Sequence, residues 1–323
     1  MRRSTAVRTR TKPHERRAGK SERRAFEQKE TMRKLTFIAL IAAALIAPTI
    51  ARAQSVFSDT YVIPAVSHTA GRNGTWMSDV TINNFQSAQL TVQLIFVESG
   101  ENNADNIFPV TTSTIDGSVT VPAFGTIVLK DVVNGYRGLQ NVSGALILGG
   151  DHPFAVTSRS YLTLANGTTV GQTVTPARDF FDNSVGLSDN TQVAIIPGII
   201  NNASTRTNIG FVAGSGSASG GPFIVQVTIR DASGNPLGSR LITVPPGFFT
   251  QTQFSVAAIT STSFDVGSAE IKLLQGTGAV VPYASVIDNN SGSPMYIMGQ
   301  FPANTPIGKT GFGGNIFNNL FKH

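Results

Sequence analysis

The chain has 323 residues, no cysteine and a formal charge of +6, so disulfides, thiolate metal sites and a lipid-anchored N-terminal cysteine are excluded. The charge is unevenly placed. Residues 1–53 hold 14 basic and four acidic side chains, a net of +10, which leaves 11 and 15 beyond them, a net of −4. The basic character belongs to the leader, and nucleic acid drops out as the expected partner of the body.

Residues 1–31 are polar and charged without hydrophobic periodicity, which reads as a disordered extension or an over-extended gene prediction with translation starting at Met32. Arg23-Arg24-Ala25-Phe26 partly matches a twin-arginine export signal, but Glu27 and Glu30 separate it from the apolar run. Met32-Arg33-Lys34 then leads into the apolar run 36–50 and Ala51-Arg52-Ala53, the three parts of a secretory signal peptide. The segment 32–53 is expected to be removed after Ala53, giving a mature chain from Gln54 that is secreted, extracellular or periplasmic. A membrane span needs roughly 20 apolar residues. No later segment approaches that length, so no membrane span is expected in the mature chain.

From residue 54 on, short runs of Val, Ile, Thr and Phe alternate with Gly, Asn, Ser and Asp clusters, the pattern of an all-β sandwich or barrel. The runs come twice in the same order. Tyr61-Val62-Ile63-Pro64 matches Ala194-Ile195-Ile196-Pro197, and the segment at 78–84 matches that at 207–212. Likewise 91–96 matches 224–229, Val119-Thr120-Val121-Pro122 matches Ile242-Thr243-Val244-Pro245, and 126–132 matches 251–257. Last, 143–148 and 154–164 match 267–273 and 279–288. The reading is all-β, with two tandem immunoglobulin-like β-sandwich modules at 54–182 and 191–301 and a linker at 183–190. Prolines 64, 122, 197 and 245 are expected at strand ends or edges, because each lacks a backbone donor. Asp231–Pro236 is expected to be a hairpin turn. At 302–323, Phe312, Ile316, Phe317, Leu320 and Phe321 would share one face of a short helix.

Two marks carry a resemblance. One is Gly71-Arg72-Asn73-Gly74-Thr75-Trp76-Met77-Ser78-Asp79-Val80, and the other is Tyr283-Ala284-Ser285-Val286-Ile287-Asp288-Asn289. Over about residues 61–301 the chain resembles tandem immunoglobulin-like modules of exported environmental-bacterial proteins of uncertain function. The resemblance implies fold and export, and it brings no catalytic or ligand-binding residue.

Candidate chemistry is sparse. His68, with Asp79 and nearby serines, would be the start of a serine-type triad, but no G-x-S-x-G turn accompanies it. His152 precedes Pro153 in what reads as a hairpin-like turn. Glu98, Glu101 and Asp105 form an acidic loop able to offer oxygens to an ion, without EF-hand spacing. Asp79 and Asp288 each sit at a strand beside Asn, where a carboxylate caps a turn or strand end. Trp76 is the one tryptophan. It is expected either between the sheets or, with Tyr283, on an exposed platform for a sugar ring. The Asn-x-Ser/Thr triplets at 73, 141, 166, 202 and 289 permit glycosylation only in a suitable host.

Nothing in the sequence asks for a cofactor or metal or assembles a catalytic constellation, so no enzyme activity is expected. Only 26 residues beyond 53 are charged, far below the usual quarter. The surface is therefore carried by amides and hydroxyls, which are desolvated more easily than charges. A secreted, non-catalytic protein with a structural, adhesive or scaffold role at the cell surface is the leading expectation, with a polysaccharide or another surface protein as partner. A carbohydrate-binding protein and an exported hydrolase are the alternatives.

Overall fold

The computed structural model describes residues 58–71, 74–100, 117–136, 138–178, 186–188, 190–214, 222–244, 249–276 and 278–301. The leader at 1–53, the tail at 302–323 and, of the segment 183–190, residues 183–185 and 189 lie outside the described residues. So does Pro245.

The Val-, Ile- and Thr-rich runs form antiparallel strands, and the described residues are all β apart from one 3-10 turn, Val256–Ala258. The first half comprises β1 (Ser58–Gly71), β2 (Gly74–Asn83), β3 (Leu90–Glu98), β4 (Ser118–Val121) and β5 (Thr126–Leu129), followed by β6 (Val142–Leu164), β7 (Thr169–Val174) and β8 (Ala177–Arg178). The second comprises β9 (Val193–Asn201), β10 (Thr205–Gly214), β11 (Phe223–Asp231) and β12 (Pro236–Val244), then β13 (Phe249–Ser255), β14 (Phe264–Gln275), β15 (Ala279–Asp288) and β16 (Pro294–Met298). No helix among the described residues is long and apolar enough to cross a membrane.

In the second half the sheets run β12-β11-β14-β9 and β13-β10-β15-β16. In the first half β6 serves two sheets. Residues 142–150 pair with β1 and β3, and residues 155–164 pair with β2 and β7, giving β4-β3-β6-β1 and β5-β2-β6-β7. With β6 counted as two strands, the orders in the two halves coincide, except that in the first half β1 also pairs with β2 over Thr69–Gly71 and with β8. In the second half this order departs from the immunoglobulin constant arrangement, in which the first strand lies beside the second. In the second half the first strand, β9, pairs with the sixth, β14.

Each half closes its own core. Ile63, Val80, Ile82, Leu94, Leu146 and Phe154 come together in the first, and Ile196, Ile209, Phe211, Val227, Ile271 and Ala284 in the second. A third apolar layer joins the halves. Val62, Ile95, Ala145 and Ile147, from β1, β3 and β6, pack with Val212, Val281 and Tyr283 from β10 and β15. Strand geometry explains how this is possible. Successive side chains point to opposite faces, so Tyr61 and Ile63 enter the first core while Val62 enters the joining layer. In the same way Phe211 enters the second core while Val212 enters the joining layer. The result is four stacked sheets whose two middle ones are buried on both faces along β1, β3, β6, β10 and β15. β15 accordingly is buried at every position from Ala279 to Ile287, whereas β11, in an outer sheet, alternates buried and half-buried.

Backbone pairing reinforces the joint. Gly100 donates its N–H to the Gln251 carbonyl at 2.8 Å, and Leu187 exchanges two hydrogen bonds with Val280. Tyr283 needs room in this layer. Gly210 lies directly opposite it on β10, and a Cβ there would overlap the phenol ring.

Several local expectations meet the structure at particular residues. Pro122 follows β4, and Pro197 lies on the edge strand β9. Pro64 differs, sitting inside β1 where the register with β6 shifts between Ile63 and Val66. A bulge tolerates the missing donor as an edge would. The turn at Asp231 is a hairpin with Gly234 at φ 84°, its N–H groups at 233 and 235 donating to the Asp231 carboxylate. His152 is not in a hairpin. Asp151-His152-Pro153 lies within β6 where the strand passes from one sheet to the other, and the chain bends there without reversing.

The joining layer makes a direct prediction. Ile147 is fully buried on the face away from its own core, so Ile147→Ala should lower stability by about 2–5 kcal/mol in urea denaturation. Gly210→Ala should lower it by about 1–3 kcal/mol through overpacking. A loss below about 0.5 kcal/mol for Ile147→Ala, the range of surface changes, would mean that this face is not packed.

Candidate functional site

The outward face of the sheet β13-β10-β15-β16 changes character along its length. Cross-strand pairing aligns Gln251 with Val212, Gln253 with Gly210, and Val212 with Val281. It also aligns Gly210 with Tyr283, Asn208 with Ser285, and Arg206 with Ile287. Partners directly opposite share a face. The Val212–Val281 end therefore packs into the joining layer, while the Arg206–Asn208–Ser285 end is polar. Over this polar end stands the inner end of the first half, and between them lies a cavity of about 220 Å³. Trp76, Ser160 and Gln172 line it from the first half, and Arg206, Gln251 and Tyr283 from the second.

A chain of hydrogen bonds crosses its floor. Gln251 Nε2 donates to the Tyr283 hydroxyl at 2.5 Å, and that hydroxyl donates to Gln253 Oε1 at 3.4 Å. Gln172 Nε2 reaches across from the first half to Ser285 Oγ at 3.5 Å. Two carbonyl oxygens are left over. Gln251 Oε1, on a residue 1% exposed, and Gln172 Oε1 are buried with no partner among the described residues. A buried acceptor without a partner costs about 1–3 kcal/mol. No carboxylate lines the cavity among the described residues.

Trp76 and Tyr283, expected as an aromatic platform, line the same cavity from opposite halves, but neither is an open surface platform. Tyr283 is fully buried, stacked on Tyr296 at 5.7 Å between centroids, and burial pushes its hydroxyl far above the usual range despite the Gln251 donor. Trp76 is half-buried at the end of β2 and forms a cavity wall, so it is not an inter-sheet core residue either. Its indole packs against Gly71, where a Cβ would collide with the ring.

A second polar group lies on the outer face of β2. His68 Nδ1 is 2.8 Å from Asp131 Oδ2, so the partner of His68 is Asp131 and not the expected Asp79. Asp79 instead accepts hydrogen bonds from the Tyr161 hydroxyl at 3.0 Å, the Asp131 N–H at 2.9 Å and Lys130 Nζ at 2.8 Å. Burial alone would raise the Asp79 carboxyl, but these three donors outweigh it and hold the carboxyl below the usual carboxylate range. Burial, then the Asp79 acceptor, pushes the Tyr161 hydroxyl up to about 12. Of the serines beside His68, Ser78 is fully buried and its Oγ accepts the Ser67 N–H. The arrangement ties the end of β5 to β2 and β6.

The remaining candidates separate. Glu98 ends β3 in solvent, while Glu101 and Asp105 lie outside the described residues. Asp288 accepts hydrogen bonds from the N–H groups of Asn290 and Ser291, the strand-end cap expected of it. His152 is held by Asp151 at 2.8 Å. The sequence reading missed Gln172, Arg206, Gln251, Asp131 and Tyr161. For Gln251 and Gln253 a signal existed: two amides at i and i+2 in an otherwise apolar and threonine-rich strand place polar groups on one face. For Asp131, a non-glycine residue at φ 44° after β5, the sequence holds none.

No protein-family model matches the chain, and no curated protein matches it.

Asp79 supplies a pH test. Its folded carboxyl titrates below its unfolded value, so its stabilising contribution is complete above the unfolded pKa and is lost as pH falls through the folded one. Asp79→Asn should lower the melting temperature at pH 7. The gap to the wild type should narrow as pH drops below about 4. A gap independent of pH would contradict this reading.

Proposed function

We propose that this chain is an exported, non-catalytic binding protein whose cavity between the two halves takes a hydroxyl-rich ligand, a sugar unit of a polysaccharide. It consists of two tandem sandwich modules of immunoglobulin-like size with a strand order of their own, 54–182 and 191–301. It carries a signal peptide at 32–53 that is cleaved after Ala53, and it acts outside the cytoplasm. Matching strand orders in the two halves support the duplication. The duplicated segments of the sequence also hold the same places in both orders, as β1 and β9 do, or β3 and β11.

The observation that carries the binding reading is the meeting of Trp76 with the amide residues Gln172, Gln251 and Gln253 in the lining of one cavity. An aromatic face suits the apolar C–H side of a sugar ring, and buried amides suit its hydroxyls. At about 220 Å³ the cavity is smaller than the roughly 300–1,000 Å³ of sites that enclose drug-sized ligands. That size suits one sugar unit or a chain end, with the rest of a polymer outside. Binding of this kind gives an adhesive role without chemistry on the ligand.

Because Trp76 is the one tryptophan, intrinsic fluorescence reads this cavity directly. A glycan array should show selective binding, and the bound sugar should change the emission of the wild-type protein. Trp76→Ala should weaken binding by about tenfold or more while leaving the far-ultraviolet circular dichroism unchanged. Glycan binding that survives Trp76→Ala at full strength would place the site elsewhere. No binding across the array would overturn the reading.

A further inference from the structure

The cavity carries a charge that no described residue of its lining balances. Arg206, on β10 at the polar end of the floor, lines the cavity half-buried. Its Nη1 donates to the Asn289 side-chain oxygen at 2.5 Å, a neutral partner. Asn289 is itself anchored to the preceding turn, its Nδ2 donating to the Ala203 carbonyl at 3.1 Å and its N–H to the Ser204 carbonyl at 2.7 Å. The guanidinium is therefore positioned by an amide that adds no negative charge.

The nearest acid along the paired strand does not reach it. Asp288 follows Ile287, the residue opposite Arg206, and so projects from the other face of β15. Its Oδ1 is taken by the N–H groups of Asn290 and Ser291 and by the Ser291 hydroxyl. Among the described residues no ion pair includes Arg206, whereas Arg230 and Lys130 each have a carboxylate. A guanidinium has five N–H donors in a planar fork that matches a carboxylate. One of them is engaged by Asn289, and among the described residues no carboxylate takes the others.

Resting on the binding reading above, we infer that the ligand is an acidic sugar, a uronic acid unit whose carboxylate Arg206 receives while Trp76 and the amides of Gln172 and Gln251 meet its ring and hydroxyls. Arg206 is thus the residue that selects for charge, and the indole and amides select for the sugar. Charge-assisted hydrogen bonds are about twice as strong as neutral ones, which sets the scale of the preference at about tenfold or more over the neutral counterpart.

The test uses the full exported chain and a panel of matched methyl glycosides, each neutral hexoside beside its uronide, titrated against Trp76 fluorescence and checked by calorimetry. Support would be a uronide that binds about tenfold or more tightly than its neutral partner, with a difference that shrinks as salt rises. Arg206→Gln should weaken the uronide far more than its neutral partner and so abolish the difference, and Arg206→Lys should restore it in part. Neutral and acidic partners binding alike, or a preference untouched by Arg206→Gln, would overturn the inference while leaving sugar binding intact. If no glycoside of either kind binds, the binding reading fails and the inference with it.

Discussion

Burial of two sheets on both faces is the constraint from which the rest follows. A strand that covers one core needs apolar side chains only at alternate positions, but β1, β3, β6, β10 and β15 lie between two apolar layers and need them consecutively. The run Tyr61-Val62-Ile63 satisfies this by sending Val62 one way and its neighbours the other. A polar residue at Val62, Ile147 or Val281 would bury a polar group in an apolar layer, so the joint between the halves is as demanding as either core. Exchanged backbone hydrogen bonds between Leu187 and Val280 show the joining segment laid onto the same central sheet.

The cavity is a consequence of where that apolar layer stops. The face bearing Val212 and Val281 continues along the same strands into Asn208, Ser285 and Arg206. Tyr283 stands at the change. Its ring belongs to the joining layer and stacks on Tyr296, while its hydroxyl enters the hydrogen-bond chain of Gln251 and Gln253. One residue thus fixes the halves together and anchors the floor of the site, which rests on rigid strands. Gly210 is part of the same device, because only a residue without Cβ leaves space for the ring. A site held in this way is preorganised, and little ordering remains to oppose binding.

Much of the fold was legible, for a physical reason. β11 lies in an outer sheet, and the two-residue alternation of Gln226–Arg230 exposes its pattern. The Asp231 hairpin is encoded locally by Asp, Gly and Asn, and its capping bonds run within five residues. The fusion of the halves was not legible, because Ala279–Val286 reads as one short apolar run whether it covers one core or two. For the same reason Tyr283 reads as an exposed aromatic when it is wholly buried. The site was half legible. Trp76 stood out by rarity, but its companions Gln172, Arg206 and Gln251 come from distant strands and converge only through register. His68 pairs with Asp131 across 63 positions, a distance at which no local spacing rule applies, and Asp79 was the nearer but mistaken choice.

Amide hydrogen exchange resolved by residue tests the joining layer most directly. Amides of Val62, Ile95 and Ile147 in the first half and of Val212 and Val281 in the second should share one slowest opening free energy, equal to global unfolding, because both middle sheets open only when the layer between them does. Two distinct limits, with one half exchanging while the other stays protected, would contradict the fused body and remove the rigid floor on which the site depends.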